Sequence, residues 1–169
     1  FFGIASEGRR FAYIVDRSGS MANARLTQAQ DELKRSLREL PDYAEFVVVF
    51  YSDRMAMPPF QTGWLRARRT QVRAVTNWID EITASGGTFP YGSFKEVFSL
   101  DPPPDVIFFL TDGQINSMTA ADVAKLNKIR RPAVINTIAF ANDESQALLE
   151  QIARDSDGTY RFVPARAVR

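Results

Sequence analysis

Asp16, Ser18 and Ser20 stand two residues apart in the run Asp16-Arg17-Ser18-Gly19-Ser20. In an extended backbone that spacing sends all three side chains to one side, so one carboxylate and two hydroxyls face a common point. Two later segments carry matching chemistry. Thr88 closes the loop Ser85-Gly86-Gly87-Thr88, and Asp112 lies in Thr111-Asp112-Gly113. An all-oxygen set, without sulfur or imidazole, suits a hard cation. Mg²⁺ wants six oxygens in a near-octahedral array and keeps several waters, so few direct protein ligands are required. The two carboxylates balance its charge, and an incompletely filled sphere leaves room for an oxygen from outside.

Each segment alone has a plainer reading. Asp, Ser and Thr beyond a strand serve as helix caps and turn formers, and Ser20 or Asn23 stands where it can cap the following helix. Gly86-Gly87 and Thr111-Asp112-Gly113 are each ordinary turn sequences. Their conjunction at strand ends favours the metal. Arg17, inside the first loop, reads either as a second positive contact or as a solvated side chain.

The elements that must position these residues alternate along the chain. Apolar runs at 11–15, 46–51, 106–110, 134–140 and 159–163 read as strands, the central ones buried on both faces. Residues 55–60 carry Pro58 and Pro59, which suits only a short edge strand or a loop. Leu26, Ala29, Leu33, Leu37 and Leu40 recur at helical spacing, as do Val72, Val75, Ile79 and Ile82. Further helices are expected at 94–100, around Val123, Leu126 and Ile129, and around Leu148, Leu149 and Ile152. Apolar strands separated by amphipathic helices predict a three-layer, doubly wound α/β domain with a mostly parallel sheet. In such sheets ligands bind outside the carboxyl ends of the strands, where the strand order reverses. The three polar segments follow apolar runs or sit in an adjacent loop.

Composition excludes several alternatives. The chain has 169 residues, enough to bury one core, and a formal charge of +1, which gives no support for a nucleic-acid partner. Arg66, Arg68, Arg69 and Arg73 cluster on one expected helix and read as a solvated face. With no histidine there is no Ser-His-Asp triad and no imidazole base, and with no cysteine there is no disulfide or thiolate site. No P-loop and no dinucleotide glycine pattern occurs. No segment approaches the roughly 18 apolar residues of a membrane span. The opening Phe1-Phe2 lacks an initiator Met, so a longer parent protein is expected, with any membrane anchor or extracytoplasmic signal outside this segment.

Together, Asp16-x-Ser18-x-Ser20, Thr88 and Asp112 resemble the metal-ion-dependent adhesion site of von Willebrand factor A-type domains, also called integrin I-like domains. The wording Asp-Arg-Ser-Gly-Ser-Met looks especially like bacterial members. The resemblance spans residues 11–163, leaving 1–10 as an N-terminal extension and 164–169 as a tail. It implies a Rossmann-like, six-stranded sheet in the order 3-2-1-4-5-6, with a short antiparallel strand 3 and helices on both faces. It also implies a protein-binding module that grips a partner's Asp or Glu through Mg²⁺, with Mn²⁺ or Ca²⁺ as substitutes. By this resemblance Ser18 and Ser20 bind the ion directly, Thr88 directly or through water, and Asp16 and Asp112 largely through waters. Met21-Ala22-Asn23-Ala24 lacks the acidic pair of a second metal, so one ion is expected, and the terminal helix that switches affinity in integrins is missing or truncated. The implied alternative is a docking subunit of an ATP-driven assembly. A Mg²⁺-dependent phosphohydrolase of the haloacid dehalogenase type would need an acid where Ser18 stands, so no enzyme is expected.

Overall fold

The computed structural model describes residues 1–128 and 132–165. Ile129, expected on the fourth helix, and the last four residues of the expected tail lie outside the described residues. The chain runs β1 (Arg10–Asp16), a 3-10 turn (Gly19–Met21), α1 (Ala24–Glu39), β2 (Glu45–Tyr51), β3 (Met55–Ala56) and β4 (Leu65–Arg66). It continues through α2 (Arg69–Ile79), α3 (Tyr91–Ser99), β5 (Val106–Thr111), α4 (Ala120–Lys128), β6 (Val134–Phe140), α5 (Gln146–Asp155) and β7 (Tyr160–Val163).

The sheet order is β3-β2-β1-β5-β6-β7, with β1, β2, β5, β6 and β7 parallel. This is the expected order, with one addition. The edge is not one strand over 55–60 but two short ones, both antiparallel to β2, which makes seven strands. Pro58 and Pro59 have no N–H to give a ladder. Between the two short strands the Gln61 side chain stands in for backbone, accepting from Val48 N–H at 2.9 Å and donating to Val48 O at 3.1 Å.

The period-2 alternation of buried strands builds two cores. Tyr13, Val48, Phe50 and Phe108 pack with Leu33 and Leu37 of α1 and Val75 and Ile79 of α2. Ile14, Val49 and Phe109 face the other way, against Phe94 of α3, Val123 of α4 and Leu149 of α5. Two helices on one face and three on the other complete the three layers. The N-terminal segment joins the first core: Phe1 is buried and sets its ring edge-on to Tyr13, with centroids 5.5 Å apart. The arginine cluster does not share one helix. Arg66 lies in β4, Arg68 caps α2, and Arg69 and Arg73 lie within it, all four exposed. Among the described residues, no helix is long and apolar enough to cross a membrane.

Candidate metal centre

β1 and β5 lie side by side in parallel, with Val15 opposite Leu110, so Asp16 and Asp112 emerge at the same edge of the sheet. The chain leaves these neighbouring strands in opposite directions, toward β2 and toward β6, and opens the crevice at which α/β sheets bind ligands.

Asp16 is fully buried at the base of this crevice. Its Oδ1 accepts the Ser18 backbone N–H at 2.7 Å, which turns the chain two residues on. Its Oδ2 accepts the Tyr51 hydroxyl at 3.2 Å and the Thr111 hydroxyl at 2.8 Å. Burial pushes its carboxyl above the usual aspartate value; the hydrogen bonds from Ser18 and Thr111 oppose that shift, and the Asp112 charge adds to it. Tyr51, also fully buried, donates to Leu110 O at 3.2 Å as well, tying β2 to β5 across β1. Tyr51→Phe should therefore cost about 1–2 kcal/mol, the worth of a buried hydrogen-bonded hydroxyl. Urea unfolding measures this, and an unchanged midpoint would show that the hydroxyl orients nothing.

Above Asp16 the hydroxyls converge. Ser18 Oγ and Ser20 Oγ are 3.0 Å apart, and Ser20 Oγ donates to Asp112 Oδ1 at 2.5 Å. A β-carbon on Gly113 would meet Thr88 Oγ1 at 3.3 Å and Ser20 Oγ at 3.8 Å, so Thr88 closes the same cradle. All five expected residues thus come together. The capping reading of these residues fails: Asn23 takes the N-cap place of α1 without a side-chain hydrogen bond, and the Ser20 hydroxyl is turned to Asp112.

The loops around the cradle are tied to one another. Gly19 N–H donates to Gly86 O at 2.9 Å, and Ser85 N–H to Arg17 O at 2.8 Å. Gly86 has φ +79°, and a β-carbon there would collide with the Asp53 carboxylate, which also accepts Gly87 N–H at 2.8 Å. Arg17 is not simply solvated. It donates to Thr83 O and Ser85 Oγ, both at 3.2 Å, and so braces the Thr88 loop.

Sequence reasoning missed four contributors: Tyr51, Thr111, Asp53 and Arg25. Arg25 Nη1 reaches Asp112 Oδ2 at 2.9 Å and Ser20 O at 3.2 Å. One signal for it was present. A cation in the first turn of a helix opposes the helix dipole unless it has a partner nearby. Among the described residues no three His, Cys, Asp or Glu side chains group as a metal site; the cluster has two carboxylates and its other donors are hydroxyls.

A family model described as von Willebrand factor type A domain matches residues 10–162. A von Willebrand factor A domain-containing protein of Dictyostelium discoideum is 26% identical over 159 residues, covering 90% of this chain and 17% of that protein. The solved von Willebrand factor type A protein from Catenulispora acidiphila superposes with a TM-score of 0.79 at 25% identity, over 92% of this chain and 38% of that one. Proximal thread matrix protein 1 from the mussel byssus, solved with a zinc-occupied MIDAS motif, gives a TM-score of 0.68 at 23% identity, over 90% and 41%. The chain therefore spans well under half the length of each of these proteins.

Proposed function

The chain belongs to the von Willebrand factor type A family, and from that premise we propose that it is a protein-binding module working through one divalent cation. In this reading Asp16, Ser18, Ser20, Thr88 and Asp112 hold Mg²⁺, with Mn²⁺ or Ca²⁺ able to replace it, and the ion takes an Asp or Glu carboxylate from a partner.

The observation that carries the proposal is the separation of the serine hydroxyls. Adjacent corners of an octahedron with Mg–O bonds of 2.0–2.1 Å lie about 2.9 Å apart, and Ser18 Oγ and Ser20 Oγ stand 3.0 Å apart. The donor set is all oxygen, as a hard cation prefers. The bound ion supplies concentrated positive charge in a partly dry crevice, where it attracts a carboxylate strongly. The chain's own residues do the positioning. Tyr51 and Thr111 fix Asp16, Asp53 fixes the Gly86-Gly87 turn, and that turn presents Thr88. Beside Thr88, Phe89 is 55% exposed and offers a partner apolar contact at the rim. The zinc-occupied motif of the mussel protein lends support by likeness of fold. Asp16 is buried with both oxygens engaged, an arrangement that favours a binding module over an aspartate nucleophile.

Titrating Mg²⁺ into chelator-treated protein should give saturable heat and a rise in melting temperature. At 100 times the Kd, the stabilisation is about 2.7 kcal/mol. Absence of both the heat and the melting shift would sink the proposal. Affinity should also fall with pH. Because burial raises the Asp16 pKa, protons compete for it at higher pH than for an ordinary aspartate, and the ion is lost as pH drops through that raised value. In metal-free protein, folded Asp16 holds its proton more tightly than unfolded Asp16 does. Its contribution to stability is fully present below the ordinary aspartate value and is lost as pH rises through the raised one. A metal affinity that stays flat across the acid range would contradict this assignment.

A further inference from the structure

Arg25 places a guanidinium at the rim of a cluster otherwise made of carboxylates and hydroxyls. Its Nη1 donates to Asp112 Oδ2 at 2.9 Å, where the Asp112 side chain is fully buried and the Arg25 side chain 40% exposed. The same nitrogen holds Ser20 O at 3.2 Å, so Arg25 touches two of the five proposed metal-holding residues. It stands in the first turn of α1, a helix with no acidic residue there, where the helix dipole opposes a cation. The ion pair with Asp112 offsets that opposition.

We propose that Arg25 is a built-in second cation that sets the charge of the centre, weakening its hold on the metal while strengthening the metal-loaded centre's hold on an anionic ligand. The inference rests on the divalent-cation reading given above. Asp16 and Asp112 with Arg25 leave the cluster at a net formal charge of minus one, and a divalent cation takes it to plus one. Without Arg25 the loaded cluster is neutral. A plus-one centre attracts a carboxylate, and a half-exposed guanidinium beside it can donate a hydrogen bond to the same ligand. The same positive charge repels the incoming metal ion and shares Asp112 with it.

Removing the charge should therefore move the two affinities in opposite directions, which loss of a merely structural strut does not do. The test compares wild type, Arg25→Gln and Arg25→Lys, with folding checked by circular dichroism. Mn²⁺ binding is measured by calorimetry. Acetate binding to the Mn²⁺-loaded protein is measured by the fall in water-proton relaxation as the carboxylate displaces metal-bound water. Arg25→Gln should bind Mn²⁺ roughly five- to tenfold more tightly and acetate roughly threefold to tenfold more weakly, after discounting the charge for solvent exposure. Arg25→Lys, which keeps the charge, should lie near wild type in both.

Weaker Mn²⁺ binding by Arg25→Gln would overturn the proposal and make Arg25 a strut for Asp112. Unchanged affinity for either Mn²⁺ or acetate would overturn it as well. Wild type that binds Mn²⁺ while the variants fail to diverge refutes only the role of Arg25. Wild type that binds no Mn²⁺ refutes the metal centre itself, and the role of Arg25 with it.

Discussion

Asp112→Ala is expected to abolish measurable divalent-cation binding, a loss of at least about 100-fold, while the domain stays folded. Among the described residues, Asp112 is one of two carboxylates in the proposed centre, so its removal would halve the negative charge available to balance an ion. It also removes the acceptor that holds Ser20 Oγ at 2.5 Å. The fold should survive because the groups Asp112 leaves behind can find water. Ser20 is exposed, and the Arg25 side chain is 40% exposed. The lost hydrogen bonds cost about 1–2 kcal/mol, partly offset because a buried carboxylate no longer has to be desolvated. Calorimetry and thermal melting read the two effects separately. Retained tight binding would remove Asp112 from the centre, and a collapsed domain would make it a part of the fold instead.

The second large effect lies at the opposite edge of the sheet. A β-carbon on Gly158 would run into the carbonyl oxygen of Ile135 and sit 2.5 Å from its carbon and 3.2 Å from Asn136 N. These are backbone atoms of β6, which is paired on one side with β5 and on the other with β7, so they cannot yield as a flexible side chain would. The turn that carries Gly158 is tied to the same strand. Ser156 Oγ accepts Ile135 N–H at 3.1 Å, and Thr159 N–H donates to Asn136 Oδ1 at 3.0 Å. Gly158→Ala must either push β7 off the sheet or break these ties. A loss of about 3–5 kcal/mol is expected, within the range of severe steric substitutions. For a domain of this size that lowers the melting temperature by roughly 10 °C. A change under about 2 °C would show that the turn can shift at little cost.

These two residues differ in how far the chain announces them. Asp112 follows an apolar run and matches a spaced set of oxygen donors, so residue types and order pointed to it. Gly158 sits in Asp157-Gly158, which reads as a turn and no more. Its constraint comes from Ile135, more than twenty residues earlier, and only strand pairing brings the two together. Tyr51 belongs with Gly158, whereas Arg25 carried a signal in its place in the first turn of a helix. A buried tyrosine in an apolar strand reads as core, and nothing local shows that its hydroxyl reaches Asp16 on the neighbouring strand.

What the sequence determined by itself was the periodic pattern of burial and the types and order of the donors. Alternation in β1 and β5 has to bury both faces of the sheet. The extended run expected through Asp16, Ser18 and Ser20 stops at Asp16: the chain turns at Ser18 and Ser20 lies in the 3-10 turn, so that turn, not a shared strand face, brings the three side chains together. The strand order followed from family resemblance. The tertiary structure decided which second-layer groups orient the donors and where the charge balance falls. The edge became two strands because Gln61 could supply the bonds that the proline segment lacked. Asp112 came to be shared with Arg25 because the start of α1 lies beside the end of β5. Such contacts join residues 13 to 87 positions apart, and their energies depend on distances that exist only once the sheet has formed.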